Sequence, residues 1–291
     1  MTNNQSKTVL ITGASTGIGL STALEMANQG YNVIAGVRKE SDAQKLKDLS
    51  QNKIQTVILD VTKSEDIVRV TQELSSQLAE TGLYSLINNA GINYTAPFEY
   101  TVEEKARGMM EINFFGLYKM TQNFIPLLRK YREVNPDQRP KLINIGSIGS
   151  VIGLPWQSFY HASKFAVYSL SESLRLELGP LNIDVTVVMP GGIKTEFYTK
   201  TDQLANQASS DLPPEAPNHY RVAMKRFSSL ATQTEKYLTS SEITGKRITS
   251  LLNRRKSPFM FLIGIDAKSI FYSIRVFPRS WIQWPLKWLS K

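Results

Sequence analysis

The chain has 291 residues, 42% hydrophobic and 20% charged, enough for one large α/β domain or two small ones, and its lack of cysteine excludes disulfides, thiolate metal sites and cysteine nucleophiles. The formal charge of +9 sits in one segment: between Lys246 and Lys291 ten lysines and arginines face the single acid Asp266, leaving 24 of each sign in the first 245 residues. A nucleic-acid-binding face runs through a fold or along a recognition helix, so this distribution argues against nucleic acid as a partner.

Residues 1–7 (MTNNQSK) are polar and lead straight into an apolar run, so no export leader is expected, and the missing thiols fit the cytoplasm. A strand at 8–12 (TVLIT) enters the glycine-rich turn TGASTGIG at 12–19 and a helix from Ile18 to Gln29. Further strand-length runs fall at 32–37, 54–60, 84–90, 141–147 and 183–189, with helical periodicity over 64–80, 113–132 and 158–178. The strands are apolar throughout rather than alternating, which is what burial on both faces requires. The pattern predicts an α/β fold with a doubly wound parallel sheet. Residues 201–220, with three prolines, read as a loop after the sixth strand and as a candidate substrate lid. PFMFLIGI at 258–265 reads as a last strand, too short to span a bilayer.

The tail closes the chain. SIFYSIRVF at 269–277 sets Ile270, Phe271, Ile274 and Phe277 on one helical face, and Trp281, Trp284 and Trp288 stand beside Arg279, Lys287 and Lys291. Aromatic rings mixed with cations suit a peripheral membrane contact through 279–291 or an acidic partner. The same rings could instead cover a substrate pocket or a subunit interface, and Pro285 would interrupt any long interfacial helix.

Gly13, Gly17 and Gly19, with Ser15, Thr16 and Ile18 between them, open the first helix as an anion cradle. Backbone there can approach a pyrophosphate and aim N–H groups at it. Arg38 and Lys39 follow the second strand with no acid before Glu40, a pattern that accommodates a 2′-phosphate and favours NADP(H) over NAD(H). Asp60, with Val61 after it, stands where adenine would be met, or else caps the next turn with Thr62 and Ser64. No His/carboxylate cluster suggests a metal.

With NNAG at 88–91, Asn113, Ser147, Tyr160 and Lys164 in YHASK, and PGGIKT at 190–195, the sequence resembles the short-chain dehydrogenase/reductase family over residues 7–195. Thirteen residues separate Ser147 from Tyr160, as is usual in the family, while Gly146 stands where a second serine is common. The resemblance implies one Rossmann-fold domain: a core at 7–195, a substrate loop and helices at 196–257, a last strand at 258–265 and the basic tail at 266–291. It implies Asn113, Ser147, Tyr160 and Lys164 as catalytic, Asn113 holding a water that relays the proton. Asn89, Ala90, Gly91, Tyr160, Lys164, Pro190, Gly191, Ile193 and Thr195 would then join the cofactor site, with Asn88 and Asn89 also bracing the sheet and loop.

Tyr160 and Lys164 lie at i and i+4 on one helix face, so the ammonium can bear on the phenol and lower its pKa from about 10. Ser147 would donate to the substrate oxygen. His161 points about 100° away round the helix and reads as a surface or packing residue. The reaction expected is hydride transfer between a nicotinamide and a carbonyl or secondary alcohol. A diffuse likeness to the steroid- and retinol-type branch suggests a lipophilic substrate, against a 3-oxoacyl or sugar ketone, and the family implies a homodimer or tetramer. A cofactor-binding regulator or scaffold on the same fold would show a damaged Tyr/Lys pair, and this pair is intact; a nucleic-acid or membrane-surface binder driven by the charge would lose its function on removal of residues 279–291 and not on Tyr160→Phe.

Overall fold

The computed structural model describes residues 7–287. Seven strands, β1 (Thr8–Thr12), β2 (Asn32–Val37), β3 (Ile54–Ile58), β4 (Ser85–Asn88), β5 (Lys141–Ile145), β6 (Asp184–Pro190) and β9 (Met260–Ile263), pair in parallel in the order 3-2-1-4-5-6-9. Two short strands, β7 (Ile193–Lys194) and β8 (Thr239–Ser240), form a small parallel ladder beside them. Every residue of β1, β5 and β6 is buried, which explains their continuous apolar character.

Helices cover both faces of the sheet. α1 (Gly17–Asn28), α2 (Glu40–Leu49) and α9 (Ser241–Leu252) share a core with Val9 and Ile11. α3 (Ser64–Gln77), α5 (Leu117–Val134) and α6 (Ser158–Leu178) share the opposite core with Leu10, as period-two alternation along β1 dictates. α4 (Glu103–Met110) joins α5 through a π-helical turn over Glu111–Gly116. Gly245 of α9 rides on α1, where an added Cβ would fall 2.7 Å from the Ser21 backbone.

The stretch 201–220 is largely helical rather than a loop. α7 (Glu196–Ser210) and α8 (Asn218–Thr234) leave only 211–217 irregular, and all three prolines, Pro213, Pro214 and Pro217, fall in that gap. The Ser, Asn and Gln residues before it do not break a helix, and Ala205 buries its face against Trp156, Ala223, Met224 and Phe227. The chain ends in α10 (Ile265–Val276) and α11 (Arg279–Leu286).

At the amino ends of β5 and β6, Lys141 and Asp184 are cross-strand partners and form a buried ion pair at 3.0 Å, joined by Arg139 at 2.7 Å. The same carboxylate accepts the Ser257 amide at 2.6 Å and thereby fixes the entry to β9. Strand order reverses between β1 and β4, opening a crevice at the carboxyl ends, where every motif residue converges.

Candidate active site

Gly13 and Gly17 hold φ of +64° and +58°, the left-handed region that favours glycine. A Cβ on Gly13 would fall 2.8 Å from Ala90 Cα, so the turn after β1 lies directly against the loop after β4. Asn89 fastens the two: its Nδ2 donates to the Thr12 and Gly13 carbonyls at 2.9 Å, and the Thr12 hydroxyl accepts the Asn89 and Ala90 amides. Thr16 caps α1 without a side-chain hydrogen bond, and the first turn has no acid. The helix therefore offers bare N–H groups to an anion, and the donor set fits a dinucleotide pyrophosphate. Arg38 and Lys39 stand exposed just past β2. One oxygen of Asp60 accepts the Thr62 amide and hydroxyl, so the capping role foreseen for it is present. Val61 is buried against Gly116.

The catalytic candidates meet at the ends of β5 and α6. Ser147 starts a 3₁₀ turn over Ile148–Ser150; its Oγ accepts the Gly149 amide at 3.0 Å, and its own amide donates to Ser150 Oγ. With that lone pair occupied, the hydroxyl is set to donate, and it is hydrogen-bonded to Tyr160. The glycine at 146 has a steric reason: a Cβ there would meet Val187 at 2.9 Å and Ser150 Oγ at 3.1 Å. Lys164 is buried, its Nζ donating to the Ile145 carbonyl at 2.9 Å and lying 5.9 Å from the Tyr160 ring centre. A Cβ on Gly91 would fall 3.3 Å from Asn113 Oδ1, so the loop after β4 packs closely on the π-helical turn.

The electrostatics depart from expectation. Burial raises the Tyr160 pKa, with the Ser147 hydrogen bond pulling only partly the other way. Burial also lowers Lys164 to about 8, because its ammonium has a carbonyl and no carboxylate beside it. The phenol is thus held as a proton donor rather than made acidic by the lysine. Asn113, in the π-helical turn, is fully engaged: Oδ1 accepts the Ile92 amide at 2.8 Å, and Nδ2 donates to the Ile92 carbonyl and to Ser163 Oγ, both at 3.0 Å. Ser163 in turn donates to the Tyr160 carbonyl at 2.7 Å.

Pro190 ends β6, Ile193 is buried in β7, and Thr195 caps α7 close to Gly17, where a Cβ would reach it at 3.3 Å. Gly191 N donates to the Ile263 carbonyl, and Gly192 N to Asp266 Oδ2 at 2.7 Å. The sequence reading missed Asp266; its signal was being the only acid in the basic tail. His161 was placed only as a surface or packing residue. It is buried, with Nδ1 donating to the Gly149 carbonyl at 3.1 Å, and so ties α6 to the Ser147 turn. Trp156, at φ +69°, packs on α8 with Tyr220 edge-on at 5.8 Å, and Tyr220 donates to Glu99 at 3.0 Å. Trp288 and Lys291 lie outside the described residues.

A family model described as short chain dehydrogenase matches residues 7–205. The chain is 34% identical to the 3-ketodihydrosphingosine reductase of Bacteroides thetaiotaomicron, over 92% of this chain and 91% of that one. It is 28% identical to retinol dehydrogenase 16 of Mus musculus, over 98% and 89%. A crystallised short chain dehydrogenase from Burkholderia cenocepacia in complex with NADP superposes with a TM-score of 0.71 at 26% identity, over 97% and 98%.

Proposed function

The chain belongs to the short-chain dehydrogenase family, and on that premise we propose that it reduces a lipophilic ketone, or oxidises the matching secondary alcohol, with NADP(H) in preference to NAD(H). The observation that carries the reading is the Ser147–Tyr160 hydrogen bond with Lys164 one turn along α6. The dinucleotide, when bound, supplies or takes up the hydride. Ser147 orients the carbonyl oxygen, and Tyr160, whose raised pKa keeps it protonated, delivers the proton as negative charge develops there. Lys164 would hold the nicotinamide ribose, and Asn113 with Ser163 fixes the backbone of residue 160. The α1 amides would take the pyrophosphate, and Arg38 a 2′-phosphate.

Support for a lipophilic substrate comes from the aromatic surroundings of the site. Phe159, next to Tyr160 in sequence, stacks on Phe98 at 5.9 Å, and Trp156, four residues before Tyr160, meets Tyr220 of α8 edge-on. The names of the relatives, 3-ketodihydrosphingosine reductase and retinol dehydrogenase, point the same way. Assembly into a homodimer or tetramer fits the exposed Phe115, Tyr118 and Phe165 near and on α5 and α6. A panel of ketones and alcohols followed at the nicotinamide absorbance tests the function. Tyr160→Phe should lower kcat by about 10²–10⁴-fold. Arg38→Ala should weaken NADP far more than NAD; equal losses would reverse the cofactor assignment.

A further inference from the structure

A surface helix needs one apolar stripe, the one that packs. α10 has two. Ala267 and Phe271 are buried, with Ile270 and Ile274 partly so, whereas Ile265, Tyr272 and Val276 project from the opposite side at 85%, 59% and 73% exposure. α11 continues the pattern: Ile282 is partly buried and borders a small cavity shared with Val151 and Ile152, while Trp281 and Trp284 stand 67% and 73% exposed. Phe277 stacks on Trp281 with ring centres 6.4 Å apart. Lys268, Arg275, Arg279 and Lys287 are exposed among these rings; Arg275 lies over Phe271 and faces Tyr168 together with Glu172, and Asp266 is engaged by the Gly192 amide, so the cations outnumber the acids.

We propose that the outer face of α10 and α11 docks on an anionic lipid bilayer, from whose surface the enzyme takes its substrate. The second clause rests on the oxidoreductase reading above. Charge decides the occupant. A second copy meeting this face symmetrically would set its excess of cations against the same excess. A layer of anionic headgroups complements them, while indole and aliphatic side chains settle at the boundary beneath. The placement also suits delivery, because α11 borders a small cavity with Val151 and Ile152, the segment that continues directly from the Ser147 turn.

The test uses the full-length protein and co-sedimentation with extruded vesicles of phosphatidylcholine alone or mixed equally with phosphatidylglycerol. Binding should require the anionic lipid and weaken strongly in about 0.5 M salt. Trp281→Ala with Trp284→Ala, and separately Arg279→Glu with Lys287→Glu, should each reduce the bound fraction by about tenfold. Turnover of a small water-soluble ketone should stay within about twofold in both variants, whereas turnover of a long-chain ketone carried in the anionic vesicles should fall with binding. Equal pelleting of variants and wild type would overturn the proposal, as would absence of binding to anionic vesicles. So would a tryptophan variant that shifts from oligomer to monomer in sedimentation equilibrium, which would make the face a subunit contact. A protein that turns over no ketone but binds vesicles as described would instead sink the oxidoreductase reading and leave the docking surface standing.

Discussion

Tyr160 is poised to give a proton, not to take one, and the two reaction directions should differ in pH dependence accordingly. Reduction needs the neutral phenol, whose pKa lies above the ordinary 10, so its rate should not fall through deprotonation of this group below about pH 10. Oxidation needs the phenolate and should climb with pH across the same range; paired pH profiles of kcat/KM check both. Lys164 leaves a mark on stability. Its folded value of about 8 lies below the unfolded 10.5, so between these values the unfolded chain binds more protons, and stability should rise with pH by about 3 kcal/mol. Lys164→Met has no such group; the difference between its denaturation curves and those of the wild type should isolate that slope. His161→Phe removes the donor to Gly149 and should cost about 1–3 kcal/mol, with a fall in kcat exceeding any change in cofactor Kd. The site's membership was legible at this scale because Gly13, Ser147, Tyr160 and Lys164 carry their roles in local spacing. The direction of the phenol's shift was not, because it depends on burial, which outweighs the Ser147 hydrogen bond and which no local spacing reveals.

At the scale of elements, the strands were readable from their uniform apolarity: β1 and β2 end where their apolar runs end, β3, β4 and β5 stop two residues short, and β6 runs one residue past, to Pro190. The stretch after β6 was misread because prolines and serines were weighed as composition, whereas what matters is that the prolines cluster in 211–217 and leave the flanks free to coil. α7 and α8 dock on Trp156, α7 through Ala205 and α8 through Ala223, Met224 and Phe227. Ala205→Asp would bury a charge in that contact and should raise KM for the ketone while leaving the Kd for NADP within about twofold; calorimetry and initial rates separate the two. Asp266→Ala should weaken cofactor binding by about two- to tenfold, since it frees the Gly192 amide that shapes the loop after β6.

Across the whole molecule, the catalytic crevice and the ion cluster lie at opposite ends of the same strands. Burial works to raise the Asp184 pKa, but the Ser257 amide, Arg139 and Lys141 outweigh it, so the carboxylate titrates below its usual range. The stability it contributes is present above about pH 4 and lost as pH falls through the lowered value. Asp184→Asn would strand Lys141 without its counter-ion and should cost about 3–5 kcal/mol in denaturant titration.

The hydrogen bonds that shape residues 190–192 make the loop after β6 dependent on chain more than seventy residues further on. Gly191 and Gly192 lean on Ile263 and Asp266, and the carboxylate of residue 184 waits for the amide of residue 257. A chain cut near residue 255 would carry the signature residues Gly13, Ser147, Tyr160 and Lys164 and still lack β9 and the acid that hold the loop after β6 in shape.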